Sequence, residues 1–270
     1  MKIIIQSIMR IEIQDTEKCE TFISIFKHLK NFTDKVCIFI DEDKMYIQGM
    51  DDSHVCVYEL FLQGSWFDVW NPEFNSSLEH RFGIHLPIFN KMLNIWTNLH
   101  TIKLESQEGD NLDIHLTSKL EKGAFNYIFD LPLMDIEVDC LTIPETEYEV
   151  DIIMKSSQFK STLDSLSQFS DTLNISCDDK KLLLKSNSTE GSMKVDIDME
   201  NIELLAVVEG ETVESSFAIK YITHICQFHK LSNNVEIHMS PELPIQLIYN
   251  IGNDENNKMR FYLAPKISDD

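Results

Sequence analysis

The sequence predicts an α+β fold made of two similar halves, on three observations. Short runs of β-branched and aromatic residues outnumber helical segments along the whole chain. Four segments carry a helical period. The third of these follows the first by roughly half the chain, so each half repeats the plan helix, strands, helix, strands. Two helices per half are too few for a parallel sheet, which needs a crossover after nearly every strand, so antiparallel sheets with helices on one face are expected.

Taken in order, Phe22, Ile25, Phe26 and Leu29 fall at i, i+3, i+4, i+7 and define a first helix within residues 16–32. VCIFI, KMYIQGM and VCVYELFL read as strands. A second helix runs from about Leu86 to Asn98, with Leu86, Phe89, Leu93 and Trp96 on one side and Pro87 in the first turn, where a missing N–H costs nothing. TIKLES, LDIHLTS and FNYIFDL complete the half. MDIEVDCLTIPETEYEV, acidic and without helical period, suits an extended connector. The expected division is 1–134, a connector at 135–148, and 149–270. In the second half VDIIM leads to Ser156 and Ser157 as an N-cap, and the third helix groups Phe159, Leu163, Leu166 and Phe169. LNISC, KLLLKS and MKVDIDM follow as strands. A fourth helix from Phe217 to about Lys230 stacks Tyr221, Ile225 and Phe228 ahead of VEIHM, PIQLIYNI and MRFYLA.

The 270 residues include 45 Asp plus Glu against 23 Lys plus Arg, a net charge of −22 that excludes a generally basic nucleic-acid binder. The six cysteines lie far apart, with no zinc spacing, as expected of buried thiols in a reduced, intracellular protein. The three isoleucines of MKIIIQSIMR are too few for a signal-peptide core or a bilayer span, so no secretion and no membrane partner are expected.

No P-loop, dinucleotide fingerprint or nucleophile elbow occurs, so no catalytic residue and no cofactor is expected. Asp51, Asp52 and His54 in GMDDSHV could ligate a hard cation or share a proton, but a turn capped by its own carboxylates is the favoured reading. His224 and His229, five apart, fall on different helix faces, so no metal site is expected there.

The four helical windows hold seven basic and three acidic residues, a surplus of +4 that leaves −26 on the rest. Lys27, Lys30, Lys91, Lys160, Lys220 and Lys230 are the candidate DNA-facing residues. Helices sharing one wall would make it positive inside an acidic shell, which suits loose phosphate contact without base readout.

QGMDDSHV at 48–55, LTIPETEYEV, FKSTLDSLSQFSDTLNISC and FYLAPKISDD resemble, in order, four segments of the proliferating cell nuclear antigen family of DNA sliding clamps, and the likeness runs from about Ile11 to the C-terminus. The resemblance implies two duplicated clamp domains with sheets outside and two helices each lining a channel. It also implies a homotrimer encircling double-stranded DNA, placed there by an ATP-dependent clamp loader. Its implied function is a non-enzymatic processivity factor tethering DNA polymerase and other PIP-box proteins, in the nucleus or at a viral replication site. The alternative is a monomeric polymerase accessory subunit that grips DNA directly.

The family's partner-peptide pocket maps to Met50, His54, Val55, Val57, Leu141, Ile143, Pro144, Tyr148, Pro244, Tyr262, Leu263, Ala264, Pro265 and Ile267. Departures from the family pattern are Ile23, Ser24, Ser161 and Asp164 where channel helices are usually basic. Asp179 stands where the family's modifiable lysine lies, with Lys180 and Lys181 beside it. The first ten residues have no counterpart, and with the divergence this points to a large DNA virus as source.

Overall fold

The computed structural model describes residues 8–72, 80–107, 110–123, 125–137, 140–208 and 210–266. The chain divides into two compact units, one comprising residues 1–49 and 60–140, the other 50–59 and 141–270.

The first unit contains β1 (Ile8–Ile13), α1 (Thr16–Leu29), β2 (Lys35–Ile40) and most of β3 (Lys44–Met50). It continues with the second half of β4 (Cys56–Gln63), β5 (Val69–Asn71), β6 (His80–His85), α2 (Leu86–Leu93), β7 (His100–Gln107), β8 (Asn111–Ser118) and β9 (Tyr127–Pro132). One antiparallel sheet has the order β5-β1-β7-β8-β9, and β3, β2 and β6 run side by side in another. Strict alternation puts Leu112, Ile114 and Leu116 of β8 in the core. Asp15 caps α1 by accepting the Lys18 N–H at 2.9 Å. The helix buries Cys19, Phe22, Ile25, Phe26 and Leu29, and Phe26 meets Phe89 of α2 edge-on with centroids 4.9 Å apart. Gly83 is required: a Cβ there would stand 2.1 Å from the Met134 carbonyl, whose own N–H donates to Gly83 O.

The second unit holds β10 (Val150–Lys155), α3 (Ser156–Leu166), β11 (Thr172–Cys177), β12 (Leu182–Asn187), β13 (Ser192–Ile197), β14 (Ile202–Val207) and β15 (Val213–Ala218). After these come α4 (Ile219–Ile225), β16 (Asn234–Met239), β17 (Ile245–Asn250) and β18 (Lys258–Leu263). Its strands run β14-β10-β16-β17-β18 followed by the start of β4, and β13-β12-β11-β15 form a separate sheet. The duplicated clamp plan is present, with two α-helices to each unit among the described residues.

Several expected boundaries move. α2 stops at Leu93, where Asn94 caps it by donating to Asn90 O. Trp96 is held instead by an indole bond to His100 O at 2.9 Å. α3 starts at Ser156 itself, after Lys155 and with no side-chain cap; Ser156 is buried and its N–H donates to Asn233 O. Phe169 lies beyond that helix and is exposed. Phe217 belongs to β15, and α4 tightens after Ile225 into a 3-10 turn, Cys226–Lys230. Tyr221 is not stacked with buried Ile225 and Phe228 but turns to Asp51. β1, β5, β6, β14 and β15 had no strand signal strong enough to be read from the sequence.

Candidate functional site

Burial of one face of each helix decides what the other face offers. Lys27 in the last turn of α1, Lys30 at its C-cap and Lys91 in the last turn of α2 are exposed and make no ion pair among the described residues. Cations there also oppose the negative helix end favourably. In the second unit Lys220 is exposed, its Nζ 5.8 Å from the Tyr221 ring, and Lys230 is exposed at the end of the 3-10 turn. Lys160 departs from this pattern: half-buried on α3, it is paired with Asp164 one turn on, so its charge is answered within the chain. Burial, then neighbouring Lys220, hold His224 below the ordinary histidine range, so it adds no charge at neutral pH.

The GMDDSHV turn is closed by its own carboxylate. Buried Asp51 accepts the N–H groups of Ser53 at 2.8 Å, Val55 at 2.8 Å and Cys56 at 2.7 Å, and the Tyr221 hydroxyl at 2.9 Å. Burial alone would raise this carboxyl, but those donors outweigh it and hold it below the usual range. His54 carries the turn's positive φ of 59°. No group of three or more His, Cys, Asp or Glu side chains suited to a metal occurs among the described residues, and none of their helices is long and apolar enough to cross a membrane. Val55 O accepts the Ala264 N–H at 2.9 Å, so the turn is stitched to the residue after β18.

The connector lacks regular structure from 141 to 148 and flanks a groove of about 570 Å³ lined by residues 143–148 together with Gln246, Arg260 and Tyr262. Of the expected pocket residues the groove brings together Ile143, Pro144, Tyr148 and Tyr262. Tyr148 is half-buried, its ring 5.8 Å from that of His238, and burial followed by Tyr262 raises its hydroxyl. Met50, Val55 and Val57 are half-buried, while His54, Leu141, Pro244 and Ala264 are exposed, and none of these seven lines that groove. Leu263 is a correction: at 1% exposure, opposite Ile245, it faces the core and cannot be a wall. Pro265 lines a different groove, of about 950 Å³, with Lys266 and the strands β11, β12 and β15. Ile267 lies outside the described residues.

Gln246 and Arg260 were missed by sequence reasoning, though the period of two pointed to them. Arg260 is two residues before Tyr262 on β18, and Gln246 stands directly opposite Tyr262 on β17. Arg260 donates from Nη1 to Glu59 Oε2 at 3.3 Å and to the Tyr262 hydroxyl at 3.1 Å, fixing the groove's one arginine.

Residues 14–140 match the family model described as proliferating cell nuclear antigen, N-terminal domain, and residues 142–266 that of its C-terminal domain. The chain belongs to the proliferating cell nuclear antigen family. It is 32% identical over 231 residues to the proliferating cell nuclear antigen of Chaetomium thermophilum, covering 83% of this chain and 86% of the relative. Its fold is that of the Entamoeba histolytica proliferating cellular nuclear antigen (TM-score 0.82, 22% identity, 96% of this chain and 99% of that one). The same holds for a chain of the PCNA2–PCNA3 complex of Sulfolobus tokodaii (TM-score 0.81, 24% identity, 96% and 99%). As a member of this family the protein is a DNA sliding clamp, a non-enzymatic scaffold of DNA replication.

Proposed function

We propose that three copies close into a ring around duplex DNA, that the exposed helix lysines touch its phosphates, and that the connector groove tethers DNA polymerase and other partners through PIP-box peptides. The observation that carries the DNA-facing role is segregation: Lys27, Lys30, Lys91, Lys220 and Lys230 are exposed and unpaired among the described residues of a chain whose net charge is −22. Weak mobile contacts suffice for a closed ring, whereas an open protein of this charge would lack the affinity to hold DNA. Ring closure is supported by sheet ends at β9, beside strongly exposed Phe125 (78%) and Ile128 (67%), and at β13, where no further strand pairs among the described residues.

The groove suits an extended peptide flank along the connector, with a helical turn of apolar and aromatic anchors against Ile143 and Tyr148. A clamp loader places the ring, and the site of action is the nucleus or a viral replication compartment. Loader-dependent retention tests the ring: the protein should stay on circular DNA and slide off linear DNA. Equal salt-sensitive retention on both, with a one-subunit mass, would establish the direct-grip alternative. Peptides of the form Gln-x-x-aliphatic-x-x-aromatic-aromatic should bind the parent, and Ile143→Glu should abolish that binding while the chain stays folded. Unchanged affinity would remove the groove assignment.

A further inference from the structure

Alternation decides which side chains the sheet of the second unit turns toward the connector. Ile152 and Met154 of β10 and Ile237 and Met239 of β16 are buried, which sends Asp151, Glu236 and His238 to the outer face. Register then sets Asp151, His238, Gln246 and Tyr262 opposite one another in turn, a row running from β10 across β16 and β17 to β18. Gln246 and Tyr262 line the connector groove, while Asp151 and His238 do not. Both ring nitrogens of His238 face carboxylates: Nδ1 lies 2.5 Å from Asp151 Oδ1, and Nε2 lies 3.9 Å from Glu236 Oε2. Glu236 accepts the Asn250 amide of β17 and is drawn by Lys258 of β18, and beyond β10 the strand β14 presents neutral Ala206 opposite Asp151. From the connector comes Tyr148, its ring 5.8 Å from the imidazole and tilted by 37°. The connector is anchored here by the Tyr148 hydroxyl, 3.5 Å from Pro244 O, and by the Glu149 N–H, which donates to Ser240 Oγ at 2.9 Å.

A neutral imidazole has one N–H and one bare nitrogen. Between two carboxylates it can answer only one and turns a lone pair on the other, whereas an imidazolium answers both. The charged ring also lies within the ~6 Å over which a tyrosine face attracts a cation. We propose that His238 is a positioning residue of the peptide groove: as an imidazolium pinned between Asp151 and Glu236 it holds the Tyr148 ring in place as a groove wall, and as a neutral ring it lets that wall go. The inference rests on the peptide-groove reading above and adds to it a group that touches no peptide. Peptide affinity is then highest where His238 is charged. Burial lowers the proton affinity of this ring, but Glu236 and Asp151 outweigh it, so the change of charge falls on the alkaline side of the ordinary 6.5. Proton and peptide favour the same arrangement of Tyr148, and by linkage each must tighten the binding of the other.

The test titrates the full chain, His238→Asn and Asp151→Asn with a Gln-x-x-aliphatic-x-x-aromatic-aromatic peptide that lacks histidine and has blocked termini, at constant ionic strength and over a pH series spanning 6.5. The parent's affinity should fall by about threefold as pH rises above 6.5, the worth of one cation–aromatic contact. His238→Asn should bind at every pH with the parent's weaker, high-pH affinity. Asp151→Asn should keep the fall but move it to lower pH, because the ring loses one of the charges that hold its proton. A merely damaged groove would instead bind more weakly by the same factor at every pH. Saturating peptide should raise the pH at which the His238 ring titrates by NMR, by the same factor that separates the two affinities. Should His238→Asn fail to fold, the Asp151→Asn shift and the ring titration decide alone. A parent affinity constant with pH, a fall that survives in His238→Asn, or one unmoved by Asp151→Asn overturns the positioning role while leaving the groove intact. A parent that binds no peptide at any pH overturns both.

Discussion

Replacing Asp51 with Asn tests whether the GMDDSHV turn is held by a charge. Oδ1 takes the N–H groups of Val55 and Cys56 and can keep both as an amide oxygen. Oδ2 takes the Ser53 N–H and the Tyr221 hydroxyl; an NH₂ in its place opposes the Ser53 donor, while the hydroxyl can rotate to accept. One charge-assisted bond is lost and the others weaken, a cost of about 1.5–3 kcal/mol to the second unit. At roughly 2–4 °C per kcal/mol for a domain of this size, the melting midpoint should fall by about 3–12 °C. Asp51→Ala orphans three backbone donors and should cost more, about 3–5 kcal/mol. Tyr221→Phe leaves the carboxylate its backbone donors and should cost only about 1 kcal/mol.

The pH dependence has a definite sign. The folded carboxyl lies below its ordinary 3.8, so its stabilisation is complete above that value and is lost as pH falls through the folded one. Urea titrations of the parent, both single variants and the double Asp51→Asn/Tyr221→Phe should show non-additive losses at pH 7, and the parent's advantage over Asp51→Asn should shrink below about pH 4. An Asn variant as stable as the parent at pH 7, or an advantage undiminished at pH 3, would refute the reasoning.

Three further outcomes are expected. Reversing Lys30, Lys91 and Lys220 to Glu changes six charge units per subunit, so loader-dependent retention on circular DNA should collapse while peptide titration at the same ionic strength is unchanged. Asp164→Asn should free Lys160 and raise retention, by up to about threefold if one added phosphate contact forms per subunit; no rise would mean that Lys160 does not face DNA. For His238, burial lowers the imidazole's proton affinity, but Glu236 and Asp151 outweigh it and leave the value above the ordinary 6.5. Its stabilising share is therefore full below 6.5 and lost as pH rises through the higher folded value, so the parent's margin over His238→Asn should narrow as pH rises above 6.5, and a constant margin would count against it.

The signals that were legible in the sequence were local ones. A face such as Phe22, Ile25, Phe26, Leu29 identifies its helix because burial acts at the helical period, and all four side chains are in the core. The limits of α2 and α3 were not legible, because distant partners set them: Asn233 O takes the Ser156 N–H, and His100 O holds Trp96 outside the helix its spacing suggested. β14 was missed for a related reason, since its residues are all exposed or only half-buried and give no core signal. At the site, residue types on the connector were readable, but direction was not. Leu263 and Tyr262 are adjacent and equally plausible as wall residues, yet the pleat sends one into the core and the other to the groove.

The turn at 50–59 shows the same limit at the scale of the unit. Residues 60–140 of the first unit separate it from the rest of the second, yet it folds with the second unit, through Asp51 with Tyr221, Val55 with Ala264, and Glu59 with Arg260. A boundary drawn along the sequence must assign it to the first half, because the bonds that claim it span between 170 and 209 positions. Those bonds also explain why a turn of GMDDSHV type belongs beside a partner groove. The Glu59–Arg260–Tyr262 chain reaches the groove wall directly. The Val55–Ala264 bond pins the end of β18, the strand that carries both wall residues. Loss of the turn should therefore loosen the groove even though no atom of Asp51 lines it, so peptide affinity should fall with Asp51→Ala and hold with Tyr221→Phe.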